Sequence, residues 1–214
     1  MSNMSSFSFI HPSTILISGP TQSGKTHFVT EVISNKLIQP FPNRIIWLYK
    51  EWQDTYERLK AIVPEIVFHR GIQEELLESI TPTETNLVVI DDLMGQAAES
   101  KKITELFTQE SHHRNLTVIL IVQNLFYRGK EMRTISLNAH YFVLYKNPRD
   151  KTHIRFLAQQ IYPENWKFLV NVFTHATREP HSYLIINLHP ETAEQFRLAS
   201  NIFTSEQIRY YLPD

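Results

Sequence analysis

Residues Gly19-Pro20-Thr21-Gln22-Ser23-Gly24-Lys25-Thr26 read G-x-x-x-x-G-K-T, and this octapeptide constrains the chain more than any other feature. The apolar run Thr14 to Ser18 leads straight into it and the following dozen residues suit a helix, so the expected context is strand, loop, helix. Gly19 and Gly24 permit backbone angles that turn consecutive N–H groups toward one anion, and the helix that follows aims the positive end of its dipole at the same place. Lys25 adds a point charge for the β- and γ-phosphates, and Thr26 places a hydroxyl where it can ligate Mg²⁺. Gly19 to Thr26 is therefore the candidate phosphate-binding loop of a P-loop NTPase, with ATP and Mg²⁺ as the expected ligands.

Short β-branched runs recur along the chain with helix-compatible stretches between them, the signature of a mainly parallel sheet covered on both faces. Strands are expected at Thr14–Ser18, Ile45–Tyr49, Ile66–His69, Leu87–Asp91, Thr117–Val122, Tyr141–Tyr145 and Tyr183–Asn187. Helices are expected at about Lys25–Ile38, Gln53–Ile62, Ile72–Ser79, Ser100–Glu110, Asp150–Ile161 and Glu164–His175. The fold class is α/β, a three-layer P-loop sandwich of the RecA-like type with an additional strand. Residues 1–10, rich in serine, read as a flexible lead-in, and 11–214 as a single domain.

The run Asn86 to Asp92 is an apolar strand ending in two carboxylates, a pattern that can lie beside the first strand and deliver acids to a bound nucleotide. Asp91 is the candidate Mg²⁺ ligand with Thr26, and Asp92 the candidate that orients and polarises an attacking water. Aspartate is also a favoured helix cap, which is the competing explanation for this pair. A further buried strand ends at Gln123-Asn124, whose amide can contact a γ-phosphate or the lytic water. Three basic groups flank it: His112-His113-Arg114; Arg128-Gly129-Lys130 with Arg133; and Lys146 to Lys151. A solvated face is the ordinary explanation for such groups; in a ring of subunits one arginine can instead reach the neighbour's γ-phosphate, and the remainder can track a DNA backbone. His112 and His113 have no acidic or cysteine partners arranged as ligands, so no transition-metal site is expected. Trp47, Tyr49 and Trp52 read as core aromatics rather than base-stacking platforms.

Composition narrows the partners. A formal net charge of -1 provides no overall basic field, so any contact with nucleic acid must come from local clusters or from several subunits together. The absence of cysteine excludes disulfides, thiolate metal sites and a cysteine nucleophile. No signal-peptide pattern opens the sequence and no apolar run approaches the roughly 18 to 20 residues needed to span a bilayer, so a soluble, non-secreted protein without membrane contact is expected.

Three segments together carry a family resemblance. They are Ser111-His112-His113-Arg114-Asn115-Leu116 through Gln123-Asn124-Leu125-Phe126, then Arg133 to Tyr141, and Lys146-Asn147-Pro148-Arg149-Asp150. Over roughly residues 12 to 162 the chain resembles the genome-packaging ATPases of poxvirus-type and Maverick/Polinton-type viruses and elements, within the FtsK/HerA superfamily. The resemblance implies a homo-oligomeric ring, pentameric or hexameric, that hydrolyses ATP and pumps double-stranded DNA into a capsid. A capsid or portal protein is the implied docking partner, and the host cytoplasm or nucleus at sites of virion assembly the implied location. It also implies a trans-acting arginine just before the sensor strand, which falls on Arg114, with Arg133 and Arg149 as alternatives. Many superfamily members carry Asp-Glu where this chain has Asp91-Asp92. A non-packaging DNA motor, a small-molecule phosphotransferase and a nucleotide-driven assembly switch are the competing functions.

Overall fold

The computed structural model describes residues 7–125, 129–150, 152–203 and 208–213. Phe126, Arg128 and Lys151, quoted above, lie outside the described residues. Nine strands of the described chain form one sheet. Six are parallel: β2 (Thr14–Ser18), β4 (Arg44–Tyr49), β5 (Val67–Arg70), β6 (Asn86–Asp91), β7 (Leu116–Val122) and β8 (Tyr141–Tyr145). Three antiparallel strands extend it past β8: β9 (Tyr183–Asn187), β10 (Leu198–Ser200) and β11 (Arg209–Tyr210). The spatial order is β11-β10-β9-β8-β2-β7-β6-β4-β5.

Strand side chains alternate between two separate apolar layers, and this explains why the central strands read as unbroken hydrophobic runs rather than as alternating patterns. On β7, Leu116, Val118, Leu120 and Val122 enter one core while Ile119 and Ile121 enter the other. The second core is covered by α1 (Lys25–Ser34) and α2 (Asp54–Ile62) through Phe28, Val29, Val32, Ile33, Tyr56 and Leu59. The first is covered by α3 (Glu74–Glu78), α4 (Met94–Ala97), α5 (Lys101–Glu105), α7 (Met132–Leu137), α8 (Thr152–Ile161) and α9 (Trp166–Ala176). Between α5 and α6 (Ser111–His113) the helix widens into a π-type turn over Leu106–Glu110.

Three expectations are corrected. The acidic strand β6 does not lie beside β2, because β7 is inserted between them and pairs with both. The first helix stops at Ser34 rather than near Ile38: Lys36 takes a positive φ of 52°, and Ile38–Gln39 forms a short strand, β3, parallel to β1 (Phe9–Ile10). The lead-in therefore does not extend to residue 10, since Phe7 and Phe9 are buried edge to face and Phe9 packs again on Tyr141. Aromatic burial and edge-to-face contact of this kind offset the cost of ordering the backbone there. The short helices α4, α6 and α7 and the short strands β1, β3, β10 and β11 are among the elements that sequence periodicity did not disclose.

Candidate active site

Gly19 to Thr26 bridges β2 and α1 as expected; close packing dictates the first glycine and backbone conformation the second. A Cβ on Gly19 would stand 2.6 Å from the Cβ of Tyr145, and Gly24 caps α1 at a φ of 101°, which L side chains rarely adopt. Gln22, between them, also has a positive φ, of 64°. Tyr145 on β8 reaches the loop at the Gly24 carbonyl, 3.4 Å away, and His181 lies 3.3 Å from the Ser23 carbonyl. The loop is thus braced from the β8–β9 side.

Lys25 is buried, and its Nζ donates to the carbonyls of Gly19 and Pro20, both at 2.7 Å. Burial lowers its pKa, an effect opposed by the negative charges of Asp91 and Asp92. The ammonium is therefore short of counter-charge in its own loop, the condition in which a phosphate binds it well.

Asp91, at the tip of β6, is only 2% exposed. Its Oδ2 accepts the Thr26 hydroxyl at 3.0 Å and the Tyr56 hydroxyl at 2.8 Å. Burial raises its pKa; the bonds from Tyr56 and Thr26 act against that, Asp92 adds to it and Lys25 opposes it. Because the Thr26 hydroxyl donates its hydrogen bond to Asp91, its oxygen lone pairs stay available to a hard cation. A hydroxyl and a buried carboxylate joined in this way form an oxygen donor set suited to Mg²⁺, which keeps most of its waters. Among the described residues there is no group of three or more His, Asp or Glu side chains that could hold a metal ion. Magnesium between protein and phosphate oxygens does not require one.

Asp92 follows at a positive φ of 57°, a conformation aspartate tolerates better than most residues, and its side chain is exposed. Gln123, at the tip of β7, donates from Nε2 to Asp92 Oδ1 at 3.2 Å. The insertion of β7 makes this contact possible, because it delivers the amide between the loop strand and the acidic strand. A cleft of about 440 Å³ opens here, lined by Lys25, Thr26, Asp91, Asp92 and Gln123 among others. That volume falls in the range typical of small-molecule sites.

Arg114 stands elsewhere. It precedes β7, at the opposite end of the parallel strands from the loop, with bonds to the Leu77 carbonyl at 2.9 Å and to Glu110 at 3.0 Å. Glu110 also holds Lys102 at 3.0 Å. Arg133 and Arg149 are exposed, and neither belongs to the cleft lining. Trp47 is fully buried, as expected, whereas Trp52 is 42% exposed.

The sequence reading missed Tyr56. Its signal was modest: an aromatic three residues before Leu59 on the inward face of a helix whose preceding strand, β4, pairs with β6.

No known family model matches the chain, and no curated protein sequence matches it. Its fold is similar to that of the DNA-packaging ATPase B204 from Sulfolobus turreted icosahedral virus, with a TM-score of 0.58 at 14% identity over 95% of this chain and 98% of that one. The genome packaging NTPase B204 from Sulfolobus turreted icosahedral virus 2, in complex with ATP-gammaS, gives 0.57 at 16% identity over 94% and 98%. The flagellar accessory protein FlaH from Methanocaldococcus jannaschii gives 0.53 at 11% identity over 96% and 92%. The chain has the RecA-like P-loop fold, and two of these structures are viral packaging NTPases, the class its sequence resembles.

Proposed function

We propose that this chain is a Mg²⁺-dependent ATPase that translocates double-stranded DNA to package a viral or virus-like mobile-element genome into a capsid. The observation that carries the catalytic part is the pairing of Gln123 with Asp92 above the Thr26–Asp91 pair, in a cleft floored by the phosphate loop. Backbone N–H groups of the loop and Lys25 would hold the triphosphate, and Thr26 and Asp91 would hold Mg²⁺, which would supply charge neutralisation for the phosphates. Asp92 accepts a proton from the water as its oxygen bonds to the γ-phosphorus and the bond to the β-bridging oxygen breaks. Gln123 holds that water and Asp92 in line.

The packaging part is supported by the sequence resemblance and by the fold shared with the two viral NTPases. Arg114 lies too far from its own loop to serve it, so any role at a γ-phosphate is across an interface in a pentameric or hexameric ring. A capsid or portal protein then anchors the ring at the site of virion assembly in the host cell. Among the described residues no helix is long and apolar enough to cross a membrane.

A second reading is a nucleotide-binding assembly protein that switches without sustained turnover; the fold shared with FlaH, a flagellar accessory protein, supports only that this fold is not confined to packaging NTPases. Steady-state ATP hydrolysis with and without double-stranded DNA, over a salt series, decides between them. The motor predicts turnover that DNA stimulates and that salt weakens, because phosphate contacts release counterions. Absence of turnover, or turnover indifferent to DNA, contradicts it.

A further inference from the structure

We propose that Tyr56 is a positioning residue for the metal site: its hydroxyl fixes the Asp91 carboxylate so that Mg²⁺ meets a preset oxygen ligand. The inference rests on reading the cleft as the Mg²⁺–ATP site. Tyr56 lies on α2, outside the phosphate loop and the acidic strand, yet its hydroxyl is 2.8 Å from Asp91 Oδ2 within a fully buried setting. The same oxygen accepts from Thr26, so two donors on two different helices grip one edge of the carboxylate.

The ring that carries this hydroxyl has little freedom. It stacks on Phe68 with centroids 5.3 Å apart and an interplanar angle of 28°, and it also meets Trp47 at 5.3 Å, Trp52 at 5.5 Å and Tyr49 at 5.6 Å. Four aromatic neighbours around a 0%-exposed ring leave one rotamer, and the hydroxyl then has one direction in which to donate. Thr26, by contrast, has to serve both the metal and Asp91, so it cannot fix the carboxylate alone. Partners of this kind typically change metal affinity by about 10- to 100-fold when removed.

The test is Tyr56→Phe, which keeps the ring and its stacking and removes one oxygen, with Tyr49→Phe as a control that removes a hydroxyl from the same aromatic block. Calorimetric titration with the non-hydrolysable analogue adenylyl imidodiphosphate is run in EDTA and across a Mg²⁺ series. The expected result for Tyr56→Phe is a half-saturating Mg²⁺ concentration raised about 10- to 100-fold, unchanged analogue affinity in EDTA, and recovery of binding at high Mg²⁺. Tyr49→Phe should move neither. An unshifted Mg²⁺ dependence in Tyr56→Phe overturns the assignment, as does an equal shift in Tyr49→Phe, which marks a general loosening of the block. If Tyr56→Phe fails to fold, Tyr56→Leu, which lacks a donor and is no larger than the native ring, is titrated with Mg²⁺ in its place under the same criteria. Failure of the wild-type chain to bind the analogue in either condition overturns the nucleotide reading itself, a result distinct from normal binding with an unshifted variant.

Discussion

Gln123 Nε2 and Asp92 Oδ1 meet at 3.2 Å although 31 residues separate them, because β6 and β7 run parallel and end side by side above the phosphate loop. Both side chains are exposed to the cleft, so their contact is not a requirement of packing. Asp92→Asn should therefore keep the fold and nucleotide affinity while lowering turnover by about 10² to 10⁴, the usual contribution of a positioned base. Gln123→Ala should lower turnover less and leave binding intact. Single-turnover hydrolysis alongside analogue titration separates the two effects, and normal turnover in Asp92→Asn contradicts its role.

Lys25 rests on the Gly19 and Pro20 carbonyls and must leave them to meet phosphate. Lys25→Ala should weaken ATP by about 100-fold or more, since a charge-assisted bond contributes roughly 1.5 to 3 kcal/mol and the ammonium that now makes two bonds to carbonyls has phosphate oxygens to replace them. Titration with a fluorescent ATP analogue measures it, and affinity within threefold of wild type contradicts the assignment.

Asp91 gives a prediction of opposite sign for stability and function. Its folded pKa is raised, chiefly by burial, so the ionised form costs stability once the pH exceeds the unfolded value. At pH 7 Asp91→Asn should raise the melting temperature of the ligand-free protein, by about 2 to 4 °C per kcal/mol gained. The same substitution should abolish the further rise that Mg²⁺ and nucleotide produce. Differential scanning calorimetry with and without both ligands reads the two effects together.

His140 supplies a pH dependence far from the cleft. Its Nδ1 accepts the Thr14 backbone N–H at 3.1 Å, and burial, with His189 and His112 nearby, lowers its pKa from 6.5 to about 4. The folded state resists protonation that the unfolded state accepts, so stability is complete above pH 6.5 and is lost as the pH falls toward about 4. Melting curves across that window should fall less steeply in His140→Gln; an identical slope contradicts the assignment.

The parallel strands and the loop were legible because buried β-branched runs and a G-x-x-x-x-G-K-T turn have few other structural uses. The strand order was not, since hydrophobic runs do not encode which neighbour each strand pairs with, and β7 came to lie between β2 and β6. The lead-in was misread at Phe7 and Phe9, where scattered aromatics among serines gave no periodicity but found a pocket beside Tyr141. Tyr56 escaped notice because its role arises from a contact between elements 35 residues apart. The basic clusters were visible in the sequence, but the position of Arg114 at the far end of the sheet is a property of the fold alone.

A mixing experiment tests the ring. Arg114→Ala and Lys25→Ala subunits, each inactive alone, should regain part of the activity when combined if the arginine acts across an interface. No recovery places Arg114 in the purely structural set it forms with Glu110 and Leu77.

A crystal structure with Mg²⁺ and a non-hydrolysable ATP analogue addresses the central claim most directly. The account predicts the β- and γ-phosphates against the backbone N–H groups of Gln22 to Lys25, with the metal beside the Thr26 hydroxyl and Asp91. An analogue bound away from the loop, or a metal with no path to Asp91, would contradict it.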